Sequence, residues 1–304
     1  MIAGRGLLYG MGVLLALFAL LFKAGAAPVH FWVADVYTGA SVAVTGFMAA
    51  VVKVGALAAL GTLWLGSLVT RIGSAPAWNL AEQVTVHSEN KSLFYVIIVV
   101  SVLSMAIGAF GGLAQKSIRR IMAYSAVMNA GFIVIGLLLP DYATEGTVQM
   151  GAMYYFLITY AIGSAGALTG IAFLAGKDDR NETLEDIQGR GRKRPYVAVA
   201  TTVCLASLAG MPPVAGFLAK FTLFTDALAG GLGVIAAIAF GLSLVAAVFY
   251  LRIAFVLFMP LMAECECKCC GKNTTFAYLL RFGVTLAAIA LIVVAIFPKL
   301  ALIV

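Results

Sequence analysis

The sequence predicts an all-α, polytopic membrane helix bundle of about eight spans, two of them broken. Three observations carry that prediction. Of 304 residues, 63% are hydrophobic and only 11% charged, against roughly 25% charged in a soluble domain. Mean hydropathy is +1.05. The apolar residues arrive in blocks of about 20, the length of helix that crosses a hydrocarbon core. Only helices and closed barrels satisfy their backbone polar groups in lipid. Blocks this long exclude a barrel, whose strands alternate in polarity over roughly 10 residues.

The spans follow in order. A first run covers Gly6 to Ala27, breaks at Pro28, and continues from His30 to about Ala40. Because more spans follow it closely, and because it is long, it is expected not to be a cleaved signal peptide. Next come Val42 to Leu68, Ser92 to Leu113, Ile118 to Leu139 and Val148 to Ala175. A long run from Val197 to Ala229 is interrupted at Gly210-Met211-Pro212-Pro213, and Leu232 to Met259 and Phe276 to Leu302 complete the set.

The net charge of +7 does not point to nucleic acid, because the basic residues are gathered in short loops, where they set orientation. Lys116, Arg119 and Arg120 follow the third span. Lys177, Arg180, Arg190, Arg192, Lys193 and Arg194 follow the fifth, and Lys268 and Lys272 follow the seventh. These loops fall on one side, expected to be cytoplasmic. The opposite side carries Arg5, Arg71, Lys91 and Lys299 with an acidic Asp141 to Glu145 turn, so both termini are expected to face outward.

Three lysines break the apolar pattern. Lys23, Lys53 and Lys220 stand inside apolar helices. An ammonium at mid-bilayer costs at least ~2.5–3.5 kcal/mol, so it should face protein or a hydrated cavity. A lysine kept from water also exchanges its proton more readily. Snorkelling is the alternative. It suits Arg252 and Arg281, which lie near span ends, and suits Lys53 poorly, with eleven residues of its span before it and fifteen after. Lys23 lies five residues before Pro28 and Lys220 seven after Pro213. Two broken helices, each with a nearby lysine, point to the halves of an inverted-repeat transporter.

Other polar residues have two readings each. His30 is a relay candidate or an orienting hydrogen-bond partner. Asp35 reads as a cap or counter-ion. Asp226, six residues after Lys220, is a relay candidate or a structural carboxylate near a helix end. Tyr154, Tyr155 and Tyr160 can hold channel waters, and interfacial anchoring explains the first two equally. Cys265, Cys267, Cys269 and Cys270 crowd one loop. Their spacing lacks a second cluster to complete a zinc pattern, so a reduced or lipidated cysteine group is the expectation, with a soft-metal site as the alternative.

The stretch Lys23-Ala24-Gly25-Ala26-Ala27-Pro28-Val29-His30-Phe31-Trp32-Val33-Ala34-Asp35-Val36-Tyr37 resembles the broken-helix signature of the antiporter-like membrane subunits of respiratory complex I. Its Asp35-Val36-Tyr37 ending is more similar to the N branch of that family than to the L and M branches. Lys53 matches the family's next membrane lysine, and Arg120-Ile121-Met122-Ala123-Tyr124-Ser125 its following motif. Ser207-Leu208-Ala209-Gly210-Met211-Pro212-Pro213-Val214-Ala215-Gly216-Phe217-Leu218-Ala219-Lys220-Phe221 is similar to the second broken helix.

The resemblance implies roles for these residues. Lys23 would be modulated by a neighbouring acidic group, Lys53 would connect, and Lys220 would be the terminal station, with His30 and Asp226 as relay candidates. It implies proton translocation coupled to quinone reduction elsewhere, with no cofactor and no metal in this chain. The implied setting is a bacterial inner membrane, among the other membrane subunits of complex I, especially neighbouring antiporter-like subunits. Multi-component cation/proton antiporters and membrane-bound hydrogenases share the lysine pattern, and a structural scaffold is the reading from another class. On the fourteen-span family fold, residues 1–68 correspond to the end of a first inverted repeat and 69–90 to an outer loop. Residues 91–259 correspond to the second repeat, with its broken helix at 197–229, and 260–304 to the cysteine loop and last span. The likeness begins near the seventh family span, so the glutamate partner of Lys23 is expected from a missing or separate half. Asn129 stands where many relatives place a histidine.

Overall fold

Twelve helices and one two-stranded hairpin make up the described part of this computed structural model, which covers residues 2–72, 91–139, 141–142, 148–149, 151–175, 183–260 and 275–298. The first helix, α1 (Ile2–Ala24), stops at the Gly25–His30 break, and α2 (Phe31–Gly39) continues beyond it. Next, α3 (Val42–Phe47) passes through a π-helical turn, Met48–Val52, into α4 (Lys53–Ile72). The central pair is α5 (Lys91–Ala114) and α6 (Ile118–Ile135), the latter ending in a 3-10 turn at Gly136–Leu138. A short antiparallel hairpin, β1 (Asp141–Tyr142) with β2 (Val148–Gln149), leads into α7 (Gly151–Ala175). Then come α8 (Arg190–Lys193), the two halves α9 (Pro195–Ala209) and α10 (Ala215–Ala229), α11 (Gly233–Phe258) and α12 (Thr275–Ile296).

Six helices are long and apolar enough to cross a membrane, and the shorter apolar helices Leu14–Ala24 and Pro195–Ala209 fill the places of the two broken spans. The eight-span reading therefore maps onto the structure. Its ends move slightly: α4 runs past Leu68, and the fifth span starts at Gly151 rather than Val148 because the hairpin occupies the residues before it. Most of the expected 69–90 loop and all four loop cysteines lie outside the described residues.

The layout is set by how much of each helix is sequestered. Over its spanning window α6 is 94% buried, whereas α12 is 17% buried. So α6 is the axle, packed by α2, α5, α7 and α11, while α7 carries α3, α9, α10 and α12 on its other sides. The outward faces bear Val99, Phe110, Val199, Phe240, Phe255, Phe282 and Ile289, all exposed. Lipid is the solvent that suits such a surface.

Arginines close the helix ends. The last carbonyls of a helix lack intrahelical partners and carry its partial negative charge. Arg119 donates to the Thr38 and Ala40 carbonyls where α2 ends, Arg190 to Leu174 and Ala175 where α7 ends, and Arg192 to Phe258 where α11 ends. The same end is laced by Leu184 N–H to the Lys116 carbonyl and Gly189 N–H to the Val256 carbonyl. The basic loops after the third and fifth spans thus meet the end of the seventh at one end of the bundle, as their charge predicts.

Candidate functional site

Breaking a helix inside a bundle strands backbone groups, and the two breaks satisfy them differently. At the first, Gly25 turns the chain at φ 71°. The Ala27 amide donates to Ser104 Oγ at 2.8 Å, and Trp32 Nε1 donates to the Phe22 carbonyl at 3.1 Å. Lys23 is not drawn in; its side chain is exposed.

At the second break the lysine is the satisfying group. Gly210 reverses the chain at φ 81°, a conformation a side chain would strain. This leaves the Leu208 and Ala209 carbonyls at the C-terminus of α9 facing inward. Lys220, from α10, donates to both at 3.0 Å and to Ser243 Oγ on α11 at 3.0 Å. An ammonium has three donors, and all three are used. The negative end of the half-helix faces the charge, and the Phe132 ring lies 5.2 Å from Nζ, within cation–π range. Only 4% of Lys220 is exposed, so this cradle replaces the water that the ammonium has lost.

Lys53 is 2% exposed. It follows the π-helical turn, a distortion common at functional positions. Its Nζ donates to the Ala126 carbonyl of α6 at 2.6 Å. Beside that carbonyl begins a polar cluster. Ser125 Oγ and Tyr250 Oη are hydrogen-bonded to each other. Asn129 Nδ2 donates to the Ser125 carbonyl at 2.8 Å and to Tyr250 Oη at 3.1 Å. Asn129 also lines a cavity of about 10 Å³ with Thr159, Tyr160, Ser207 and Lys220. That is room for roughly one water. Tyr160 lies near Tyr37, Tyr250 and Ser164, and the hydroxyls of Tyr37 and Tyr160 are buried without a well-formed hydrogen bond. Buried hydroxyls of this kind call for ordered water. From Lys53 to Lys220 the interior therefore offers carbonyl, hydroxyl and amide groups and a water-sized space.

A second, polar pocket of about 260 Å³ opens between α2 and α6, lined by His30, Asp35, Gln115, Arg120 and Tyr124. His30 has a buried Nδ1 without a partner, and it makes no side-chain cap on α2. Asp35 sits mid-α2 as a wall of this pocket rather than as a cap. Asp226 lies in the last turn of α10, half-buried, and its carbonyl accepts from Gly230. Six residues of helix rotate it by about 240° from Lys220, so the two side chains leave α10 on different sides. Of the candidates, the structure gathers Lys53 and Lys220 around one polar interior and leaves Lys23 at the surface.

Sequence reasoning missed Ser243 and Tyr250, and had Ser125 only as the last residue of a family motif. Ser243 and Tyr250 are seven residues apart on α11, hence on one face, and that pairing was their only signal. Among the described residues no group of three or more metal-binding side chains occurs.

The sequence model described as "NADH:quinone oxidoreductase/Mrp antiporter, TM" matches residues 5–249. A NADH-quinone oxidoreductase subunit N from Methylobacterium nodulans is 34% identical over 256 residues, which are 84% of this chain and 48% of the relative. Its counterpart from Saccharopolyspora erythraea is 34% identical over 296 residues, 96% of this chain and 51% of the relative. Among solved structures, a chain of respiratory complex I from Thermus thermophilus superposes with TM-score 0.75 at 29% identity, covering 97% of this chain and 58% of that one. A chain of the Mrp complex from a Dietzia species gives TM-score 0.76 at 23% identity, covering 96% and 57%, and shows the shared fold. The chain spans about half the length of the curated relatives it matches.

Proposed function

This chain belongs to the family of membrane subunits shared by NADH:quinone oxidoreductases and Mrp antiporters, and we propose that it translocates protons as a membrane subunit of a respiratory NADH–quinone oxidoreductase. The observation that carries this is the pair of fully enclosed lysines, Lys53 and Lys220, set at opposite ends of one hydroxyl-lined interior. Relatives named NADH-quinone oxidoreductase subunit N at 34% identity support this branch of the family. The subunit as proposed is multi-pass in a bacterial inner membrane, with the basic loops cytoplasmic. It lies beside other antiporter-like subunits and holds no redox cofactor of its own.

In this mechanism the proton rests on Lys53 and moves to Lys220. The route consistent with the geometry runs past the Ala126 carbonyl to Ser125 and Tyr250. From there it crosses water beside Asn129 and Tyr160 to the Lys220 amine. Hydroxyls and water can accept a proton on one side and release one on the other. Asn129 has no titratable atom, so its part is to hold Tyr250 in place. The pocket around His30, Asp35 and Arg120 is the access for water from the basic-loop end, with His30 at its wall. Asp226 stands beyond Lys220 as the carboxylate nearest the far end on α10. Lys23, exposed at the first break, is the lysine whose charge a neighbouring acidic group would modulate. Residues 1–68 and 91–259 then act as parts of two inverted repeats.

The test is Lys220→Ala and Lys53→Ala in the assembled complex, in sealed vesicles. Quinone reduction should persist while proton transfer across the membrane falls by about 100-fold or more, the scale of losing a placed acid–base group. Unchanged pumping with the complex intact would refute the transport reading and leave a scaffold.

A further inference from the structure

We propose that a pocket at the basic-loop end, between the start of α9 and α12, binds the phosphate headgroup of an anionic phospholipid. The pocket has a volume of about 210 Å³ and is lined by Arg194, Pro195, Tyr196, Val197 and Arg281. Arg194, at the bend between α8 and α9, and Arg281, on α12, both lean on Phe173 of α7, their guanidinium carbons 4.8 and 5.0 Å from its ring centre. The Tyr278 ring lies 5.7 Å from Arg281 on another side. Two like charges gathered on one ring repel each other unless an anion sits between them.

The other arginines of this end show what an employed guanidinium looks like. Arg119, Arg190 and Arg192 donate to helix-terminal carbonyls. Among the described residues the guanidinium groups of Arg194 and Arg281 make ring contacts and donate no hydrogen bond, though each residue is only half-exposed. A guanidinium carries five donors in a fork that fits phosphate oxygens two at a time. Contact with a ring face uses none of those N–H donors, and both arginines line the pocket. The N-terminus of α9 starts at Pro195 in the same wall and adds its partial positive charge.

The surroundings select a lipid over a dissolved anion. Tyr196 and Tyr278 are exposed at the rim, where amphipathic rings sit at headgroup depth. One turn deeper, Val199 on α9 and Phe282 on α12 are exposed and apolar, a wall for acyl chains. Basic pockets between spans at the cytoplasmic face are suited to such headgroups.

The experiment uses the full chain, purified with its lipids exchanged for defined ones, and measures lipid retained per chain by native mass spectrometry. The unaltered chain should retain phosphatidylglycerol in preference to phosphatidylcholine. Replacing both arginines, Arg194→Gln with Arg281→Gln, should weaken retention by about tenfold or more, given the worth of each basic residue at an anionic surface. Equal retention by the double variant, or equal retention of phosphatidylcholine, would overturn the proposal. So would full displacement by millimolar inorganic phosphate, which would make this a free-anion site. Should the double variant fail to fold, a photoactivatable phosphatidylglycerol on the unaltered chain decides: cross-links at 196–199 or 278–282 support the site, and cross-links only elsewhere overturn it.

Discussion

At the scale of single residues, the chemistry rests on how an ammonium is kept charged without water. Lys220 is held by two carbonyls, a hydroxyl and a ring face, whereas Lys53 has the single Ala126 carbonyl. The water each ammonium has lost is thus replaced by three hydrogen-bond acceptors and a ring face around Lys220 and by one acceptor at Lys53. Tyr250 is the residue between them that most needs its hydroxyl. Tyr250→Phe keeps the ring packed beside Phe249 but removes the hydroxyl that pairs with Ser125 Oγ and accepts from Asn129. We expect it to slow proton transfer by about tenfold and to cost about 1–3 kcal/mol of stability. Vesicle acidification and a thermal melt check the two effects. An unaltered rate in Tyr250→Phe would reroute the path through Tyr160 and water alone.

At the scale of elements, the second break works because two half-helices approach closely. The Gly216 amide donates to Ser207 Oγ at 3.1 Å, and a Cβ added at Gly216 would lie 1.8 Å from the Ser207 carbonyl oxygen. No rotamer change relieves a clash with backbone. Gly216→Ala is therefore expected to lower stability by about 1–3 kcal/mol or more and to displace the carbonyls that hold Lys220. Gly241→Ala on α11 is the control, since its Cβ meets nothing within 4 Å. A melting temperature equally unaffected in both would show that the break is not as tightly joined as described. Capping is the other element-scale device. Arg119→Ala should free the Thr38 and Ala40 carbonyls and loosen α2. Faster amide exchange over residues 36–42, with α6 unaltered, is the expected sign.

At the scale of the whole molecule, alternation of helix direction puts Gln188 and Gly231 at opposite ends of the bundle. Gln188 belongs to the basic end, where its amide donates to the Pro260 carbonyl. Gly231 follows α10 beside Gly230, whose Cβ position lies near Leu139 at the far end of α6. Single cysteines introduced at these positions, in a chain whose own cysteines are replaced, should react with a membrane-impermeant thiol reagent from opposite sides. Gln188→Cys is expected to be labelled only in inside-out vesicles, as the positive-inside rule requires. Labelling of both from one side would overturn the topology.

Much of this was legible in the sequence. Span number, both breaks, the common end of the basic loops and the family likeness follow from blocks of apolar residues, proline-glycine interruptions and charge placement, which act locally and leave a one-dimensional trace. Lys53 and Lys220 announced themselves because a charge in an apolar run is rare. What the chain could not declare was which polar atoms would surround them. Tyr250 and Ser243 are ordinary residues of an apolar helix until α11 packs against α6 and α10. The contrast between an enclosed Lys220 and an exposed Lys23 is likewise invisible in two similar lysine-and-proline motifs. Packing decides it, because the carbonyls that hold Lys220 come from residues eleven and twelve positions away on the other half of a broken helix, and only the folded chain brings them to one point.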